Sequence, residues 1–421
     1  MSEDIEYKEA LEKLKLYEQE HVLDRYEFLE EEKKKKIIQQ IKNIDFEQIK
    51  ELFEDRNKKV EEKGCTITNI DYVDKSKLTK TEYEKYYNIG KKIIEEGKYA
   101  VVTMAGGQGT RLGYVAPKGT FKIGGGIEKS LFEALSDTIK EAREKYNTTI
   151  PWYIMTSREN NNATEKFFTK YDFFGLPYED VKFFKQSELP MIDTKGKLML
   201  DETGIIKLAA NGHGGVFDAL DRNGYLEDMH KRGIEWIFIS GVDNVLAGLV
   251  DPIAVGVSIE NNTLATGKSV VKRSPNEKVG VFCKKNNRPY VIEYTEITDE
   301  MANAKDANGE LLYGESHILT NLFNIKALDM ISKNKLPYHS AFKKAKYMDK
   351  NGEIIKPETP NAYKFESFIF DAFEILDDMS ILRLKREDEF APLKNAEGED
   401  SPDTARQLYI DYIERKSKGL V

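Results

Sequence analysis

Between Val101 and Gly119 the chain reads VVTMAGGQGTRLGYVAPKG, and the residues best suited to chemistry are concentrated there. Glycines at 106, 107, 109 and 113 let the main chain take unusual φ/ψ values. They also leave amides that no Cβ shields, so a phosphate or a base edge can approach. Arg111 and Lys118 add two permanent cations within the same loop, which suits a triphosphate. Spacing disfavours two common alternatives. Gly107, Gly109 and Gly113 miss the dinucleotide pattern GxGxxG by one position, and the stretch contains no GxxxxGK[ST].

Further candidates follow along the chain. Residues 208–220 read LAANGHGGVFDAL, with Gly212, Gly214 and Gly215 flanking His213 just before a helical pattern. A histidine set between glycines at a helix start points toward a ligand, and the loop again exposes backbone amides. Asp243 closes the strand EWIFISGVD and is expected at the same sheet edge as the first glycine loop. Mg²⁺ takes one or two carboxylates plus phosphate oxygens and water, which an aspartate facing a nucleotide would supply; the same residue would also serve as a turn cap. Glu293 lies among apolar residues within the strand PYVIEYTEI and needs a partner, either vicinal sugar hydroxyls or a neighbouring lysine. His317 opens a strand predicted near 318–325. Lys364 and Lys394 are the notable cations of the last region, and read alone they are surface lysines.

Such groups need a frame. Tyr99 to Met104 is a short apolar, β-branched run that breaks into Ala105, Gly106 and Gly107, the pattern of a buried parallel strand entering a tight turn. An amphipathic segment at 130–146 follows, then PWYIMT at 151–156, VKFFKQ at 181–186 and EWIFISGVD at 235–243. This alternation predicts an α/β fold with a mostly parallel sheet, helices on both faces and ligands at the strand C-termini. Residues 1–97 carry dense Glu and Lys, with Leu11, Leu14, Ile37, Ile38, Ile41 and Ile44 at helical spacing, and read as a helical N-terminal domain. The run EEEKKKK at 30–36 reads as a solvated helix face. The core is expected at 98–345. A C-terminal segment, 346–421, would complete the site and end in a helix capped by Ser401 with Pro402 in its first turn.

Composition narrows the function classes. A chain of 421 residues with 40% hydrophobic residues can fill two or three domains. The excess of 73 acids over 64 bases, a net charge of −9, argues against a broad nucleic-acid surface while leaving room for local basic pockets. Cys65 and Cys283 are distant from each other and lack a CxxC partner, which fits a reducing compartment. The acidic N-terminal stretch has no apolar signal region and no apolar run reaches membrane-spanning length, so a soluble, cytoplasmic protein is expected.

AGGQGTRLG followed by PKG resembles the signature of the type-1 uridylyltransferases, which make UDP-sugars from UTP and a sugar 1-phosphate. Further strings extend the likeness from Val101 to Arg406: WYIMTS at 152–157, FFKQ at 183–186, GVDN at 241–244, VIEYTEI at 291–297, IKPETPN at 355–361 and REDEFAPLKNAEG at 386–398. Within that family the chain is similar to the eukaryotic-type UDP-N-acetylglucosamine pyrophosphorylases. The resemblance implies a nucleotidyltransferase core of the glycosyltransferase-A type, Rossmann-like, with a mixed sheet, a helical N-terminal part and a small C-terminal part. It also implies roles. Gly106, Gly107 and Gly109 would hold the nucleotide, Gln186 and the Gly212 backbone would read uracil, and His213 would lie beside nucleotide and sugar. Arg111 and Lys118 would bind the triphosphate, Lys364 and Lys394 would complete the phosphate cage, Asp243 would hold Mg²⁺, and Glu293 and His317 would meet the sugar.

Two departures bear on the sugar. GHGG at 212–215 is closer to the GHG of UDP-glucose pyrophosphorylases, and SHILTN at 316–321 puts His317 where a sugar-contacting asparagine is expected. The resemblance therefore implies N-acetylglucosamine 1-phosphate first, with glucose 1-phosphate or a broad UDP-sugar pyrophosphorylase as alternatives. Eukaryotic relatives continue past the segment matching TARQLYIDYIERK into a further β domain, and on that comparison a monomer is expected. In the reaction so implied, a sugar 1-phosphate oxygen attacks the α-phosphorus of UTP in line and pyrophosphate leaves. A phosphomonoester with a second pKa of about 6 is mostly dianionic at neutral pH and needs no general base. A nucleotide-sugar-dependent glycosyltransferase would want a DxD motif, whereas Asp243 is followed by Asn244 and Val245; a nonenzymatic UDP-sugar sensor could dispense with Arg111 and Lys118.

Overall fold

A computed structural model describes residues 2–56 and 64–419. The chain divides into two compact units, the first made of residues 1–63, 187–215 and 336–368 and the second of 64–186, 216–335 and 369–421.

The second unit is built on an eleven-stranded sheet. We number its strands β1 (Ile67–Thr68), β2 (Val73–Asp74), β3 (Tyr99–Met104), β4 (Trp152–Thr156), β5 (Val181–Lys185), β6 (Trp236–Gly241), β7 (Ala265–Val271), β8 (Val281–Lys285), β9 (Arg288–Ile292), β10 (Glu315–Asn324) and β11 (Ser380–Leu384). The principal order is β2-β11-β7-β10-β6-β3-β4-β5, with β8 joining β1, β9 and β10 off that path. Strands β6, β3, β4 and β5 are mutually parallel. β10 runs antiparallel to both β6 and β7, which makes the sheet mixed. Every residue of β3 is buried, so both of its faces are covered, as the unbroken apolar run in the sequence requires.

Helix Leu131–Tyr146 starts at Ser130, whose hydroxyl accepts from the Glu133 N–H, and buries Leu131, Phe132, Leu135 and Ile139 on one face. Helices Lys80–Glu95 and Pro252–Glu260 cross at two glycines. A Cβ on Gly90 would stand 1.9 Å from the Pro252 carbonyl oxygen, and one on Gly256 would stand 2.1 Å from that of Tyr86. This backbone-to-backbone contact ties residues 64–97 to the sheet unit, whereas the sequence reading grouped them with the N-terminal helices.

The first unit joins helices Ser2–Leu16, Glu31–Asn43 and Phe46–Asp55 to short antiparallel strands from far along the chain. Two glutamines make the junction. The buried Gln40 amide donates to the Ile206 carbonyl and accepts from the Ile206 N–H, at 2.9 and 3.0 Å. Gln19 treats Gly196 and Leu198 the same way. Around them Leu14, Ile37, Ile41, Phe46, Leu198, Ile206 and Phe365 share one apolar core. These are non-local pairings, and no consecutive boundary near 345 could express them. Among the described residues, no helix is long and apolar enough to cross a membrane.

Candidate active site

Because β3, β4, β5 and β6 are parallel, Met104, Thr156, Lys185 and Gly241 all end at one edge, and the residues that follow gather there. The Ala105 N–H donates to Met155 and the Gln186 N–H to Thr156, at 2.7 and 2.8 Å, which extends the ladder into both loops. The Gln186 side chain lies against Gly106, where a Cβ would stand 2.7 Å from its Oε1; only glycine lets the amide sit there. Beside Gly107 there is open space. Gly109 packs under the Tyr114 ring and donates its N–H to Ala116 at 3.0 Å, while Lys118 donates its N–H to Gly107 at 3.2 Å. The loop is therefore a folded hairpin-like turn with exposed Arg111 at its tip, on the short turn Thr110–Leu112.

Lys118 Nζ reaches to 3.6 Å from Asp243 Oδ2, a loose ion pair at the strand-end edge. Burial pushes the Asp243 carboxyl up, but Lys118 and Lys394 outweigh it and hold it below the ordinary carboxylate value. Asp243 therefore offers an ionised, hard oxygen donor. No cluster of three or more His, Cys, Asp or Glu residues suited to a metal exists among the described residues. Asp243 is thus a single carboxylate donor at this edge. Lys394 belongs to a segment that lies along Asp243, with the Leu393 N–H donating to the Asp243 carbonyl at 2.9 Å. Its ammonium is 3.7 Å from Asp400.

Glu293 and His317 meet around Gly280. The His317 N–H donates to the Gly280 carbonyl at 2.9 Å, and a Cβ on Gly280 would stand 3.2 Å from Glu293 Oε1. Glu293 is half-buried and lies just past the end of β9, not within the strand as the alternation of PYVIEYTEI suggested. The strand pairing with β8 ends at Val281 opposite Ile292, which frees the glutamate backbone to turn. His317 is buried on β10, edge-on to the rings of Phe282, Phe370 and Phe373, with Nε2 at 3.2 Å from Asn321 Nδ2.

The remaining candidates lie in the first unit. Gly212 has φ +86° and a Cβ there would stand 2.2 Å from the Ser367 carbonyl oxygen, so no other residue fits. Gly214 donates to that same carbonyl at 2.9 Å, and Ser367 donates its N–H to Asn211 at 2.8 Å. His213, on the turn His213–Gly215, has its ring 5.3 Å from that of Phe368. Lys364, on strand Ala362–Glu366, has its ammonium 2.6 Å from Glu366 Oε1, so its charge is already partnered.

A strand-end carboxylate, a lysine beside it and a glycine-opened loop share one sheet edge, and the whole chain can be compared with known proteins. The model of the UTP–glucose-1-phosphate uridylyltransferase family matches residues 43–399. The chain belongs to that family. The UDP-N-acetylglucosamine pyrophosphorylase of Saccharomyces cerevisiae is 38% identical over 366 residues, 80% of this chain and 76% of the yeast protein. UDP-N-acetylhexosamine pyrophosphorylase-like protein 1 of Homo sapiens is 39% identical over 328 residues, 75% of this chain. The match spans 65% of the human protein's length. The crystal structure of the uridine diphosphate N-acetylglucosamine pyrophosphorylase from Trypanosoma brucei in complex with inhibitor superposes with a TM-score of 0.81 at 28% identity, covering 99% of this chain and 88% of that one.

Two residues of this uridylyltransferase-family chain matter to the edge and escaped the sequence reading. Buried Asn160 donates to the Ala105 carbonyl at 2.9 Å and accepts from the Ser157 N–H at 2.8 Å, which pins the root of the glycine loop to the loop after β4. Asn244 makes side-chain hydrogen bonds to residues 389 and 391. The signal for each was an asparagine within four residues of a strand end, in SREN and GVDN, where a side-chain amide can both donate and accept.

Proposed function

We propose that the chain transfers the uridylyl group of UTP to N-acetylglucosamine 1-phosphate, releasing pyrophosphate and forming UDP-N-acetylglucosamine. The observation that carries this reading is the Lys118–Asp243 pair beside the glycine loop at the C-terminal edge of the parallel strands. An oxygen of the sugar phosphate forms the new bond to the α-phosphorus as the bond to the β-phosphate oxygen breaks. Since the incoming dianion needs no base, the protein's task is alignment and neutralisation of charge. Arg111, with its planar fork at the loop tip, would bind phosphate oxygens bidentately, and Lys118 would act as a compact charge near the α-phosphate. Gly106, Gly107, Gly109 and Gln186 would receive the base and ribose side, and Glu293 and His317 the sugar. Gly212, His213 and Lys364 of the first unit are proposed as nucleotide ligands in their own right. Asp243 would hold Mg²⁺, whose charge would help neutralise the phosphates. Cys65 and Cys283 are free thiols, which would stay reduced in a reducing compartment.

Glucose 1-phosphate is the second reading, favoured by His213 between its glycines. Pyrophosphate release is measured with UTP, Mg²⁺ and each of the 1-phosphates of N-acetylglucosamine, glucose, N-acetylgalactosamine and galactose. The highest kcat/KM is expected for N-acetylglucosamine 1-phosphate. A preference for glucose 1-phosphate moves the assignment to the second reading, and no release with any of the four rejects both.

A further inference from the structure

Asp243 and Lys394 come from distant parts of the chain, and something has to hold their two segments in register. After β6 the chain leaves the sheet as 242–251, and after β11 and the short helix Arg386–Glu389 it runs extended through 390–394. These segments pair antiparallel at Asn244 and Pro392, with the Val245 N–H donating to Ala391 and the Leu393 N–H to Asp243. Backbone bonding alone leaves a two-residue pairing free to slip or fray.

Two side-chain devices fix it. Asn244, only 3% exposed, donates through Nδ2 to the Glu389 carbonyl at 2.7 Å and accepts through Oδ1 from the Ala391 N–H at 2.9 Å. The amide performs both tasks at once from two separate atoms; a carboxylate would set two acceptors against one another. One turn back, the Glu389 carboxylate accepts from Lys268 Nζ at 2.9 Å and from the Gly248 N–H at 3.2 Å. Lys268 is fully buried on β7, donates also to the Gly248 carbonyl at 3.1 Å, and pairs with Asp251 at 3.1 Å. Gly248 has no side chain because a Cβ would stand 3.0 Å from both Glu389 carboxylate oxygens. Buried ion pairs often contribute little net stability against an apolar replacement, and fixing one arrangement over others is one attested role for them.

We propose that Asn244 and the Glu389–Lys268 pair are positioning residues for uridylyl transfer: they set the register of residues 389–394 on 243–248, and through it the placement of Lys394 relative to Asp243. The proposal rests on the reading that Asp243 and Lys394 act in that reaction. Misplacement of a catalytic group by about 1 Å can cost roughly a hundredfold in rate.

The test is a double-mutant cycle on the full chain, with Asn244→Asp and Glu389→Gln each made alone and in combination with Lys394→Ala; Asn244→Ser stands in where Asn244→Asp does not fold. Each single positioning variant is expected to lower kcat by about tenfold or more with the KM for UTP changed less than about threefold. In the Lys394→Ala background the same substitutions are expected to change kcat by less than about threefold, because the group they place is gone. Amide hydrogen exchange at Leu393 and Val245, read without substrate or metal, is expected to speed up in Asn244→Asp while exchange in β3 stays as in the wild type. Equal losses in both backgrounds, or unchanged exchange at Leu393, overturn the positioning role. A wild-type chain that transfers no uridylyl group overturns the function beneath it instead.

Discussion

Two of the lysine–carboxylate pairs in the second unit are built differently. At the strand-end edge Lys118 and Asp243 stand 3.6 Å apart, both partly open to solvent. In the interior Lys268 has no exposure and touches Glu389 at 2.9 Å, Asp251 at 3.1 Å and the Gly248 carbonyl at 3.1 Å. The inner lysine has its donors spent on fixed partners, so it can serve only as an anchor. The outer pair is loose, and either charge can exchange its partner for a phosphate oxygen or a cation without leaving a buried ion alone. The same two residue types thus divide into a fixed anchor and an exchangeable pair by burial and by the number of partners, not by identity.

The largest effect that would break this comparison is on stability. Lys268→Met removes one partner of a buried network and leaves Glu389 facing Asp251, with Lys75 at 3.7 Å from Asp251 as the remaining cation. Urea unfolding at neutral pH is expected to show a loss of about 3–5 kcal/mol. A loss below about 1 kcal/mol would mean that the inner lysine is no anchor.

Lys118→Ala tests the other side. Turnover should fall by about two to three decades, as for other preorganised charges removed from a transition state. Stability should move by less than about 1 kcal/mol, since the pair is long and partly solvated. Near-normal turnover would remove Lys118 from the chemistry. A stability loss matching that of Lys268→Met would erase the distinction between the two lysines.

The contrast also marks what the sequence could express. The six buried residues of β3, the break into Gly106 and Gly107, and the Ser130 cap follow from local pattern, because the pattern and the structure have the same range. Asp243 was legible as a strand-end acid for the same reason. Lys268 was not: within ATGKSVV a lysine reads as exposed, and its burial depends on Asp251 and Glu389, which arrive from elsewhere in the chain. Glu293 was misread by one step, since alternation continues through VIEY after the ladder has stopped at Ile292. The composition of the first unit was hidden in the same way. Gln40 and Gln19 look like surface residues on charged helices until residues 187–215 supply the backbone groups that they bind.

Acid sharpens the comparison by the smallest effect. In both aspartates burial pushes the carboxyl up and lysines pull it down, with Lys118 and Lys394 acting on Asp243 and Lys75 and Lys268 on Asp251; both end below the ordinary value. Asp251 also caps helix Pro252–Glu260, accepting from the Ile253 and Ala254 N–H groups, and is held well down. A carboxylate with a depressed folded pKa contributes stability that is fully present above its unfolded value of about 3.9 and is lost as pH falls through the folded value. The stability gap between wild type and Lys118→Ala should therefore be small at neutral pH and close as acid protonates Asp243 in both proteins. The gap for Lys268→Met should persist to lower pH, because Asp251 releases its charge later. Urea midpoints measured from pH 7 down to about pH 3 would show the outer gap narrowing while the inner one persists. If the inner gap closed at the higher pH, the inner carboxylate would be the more loosely held of the two, and the division into anchor and exchangeable pair would have to be reversed.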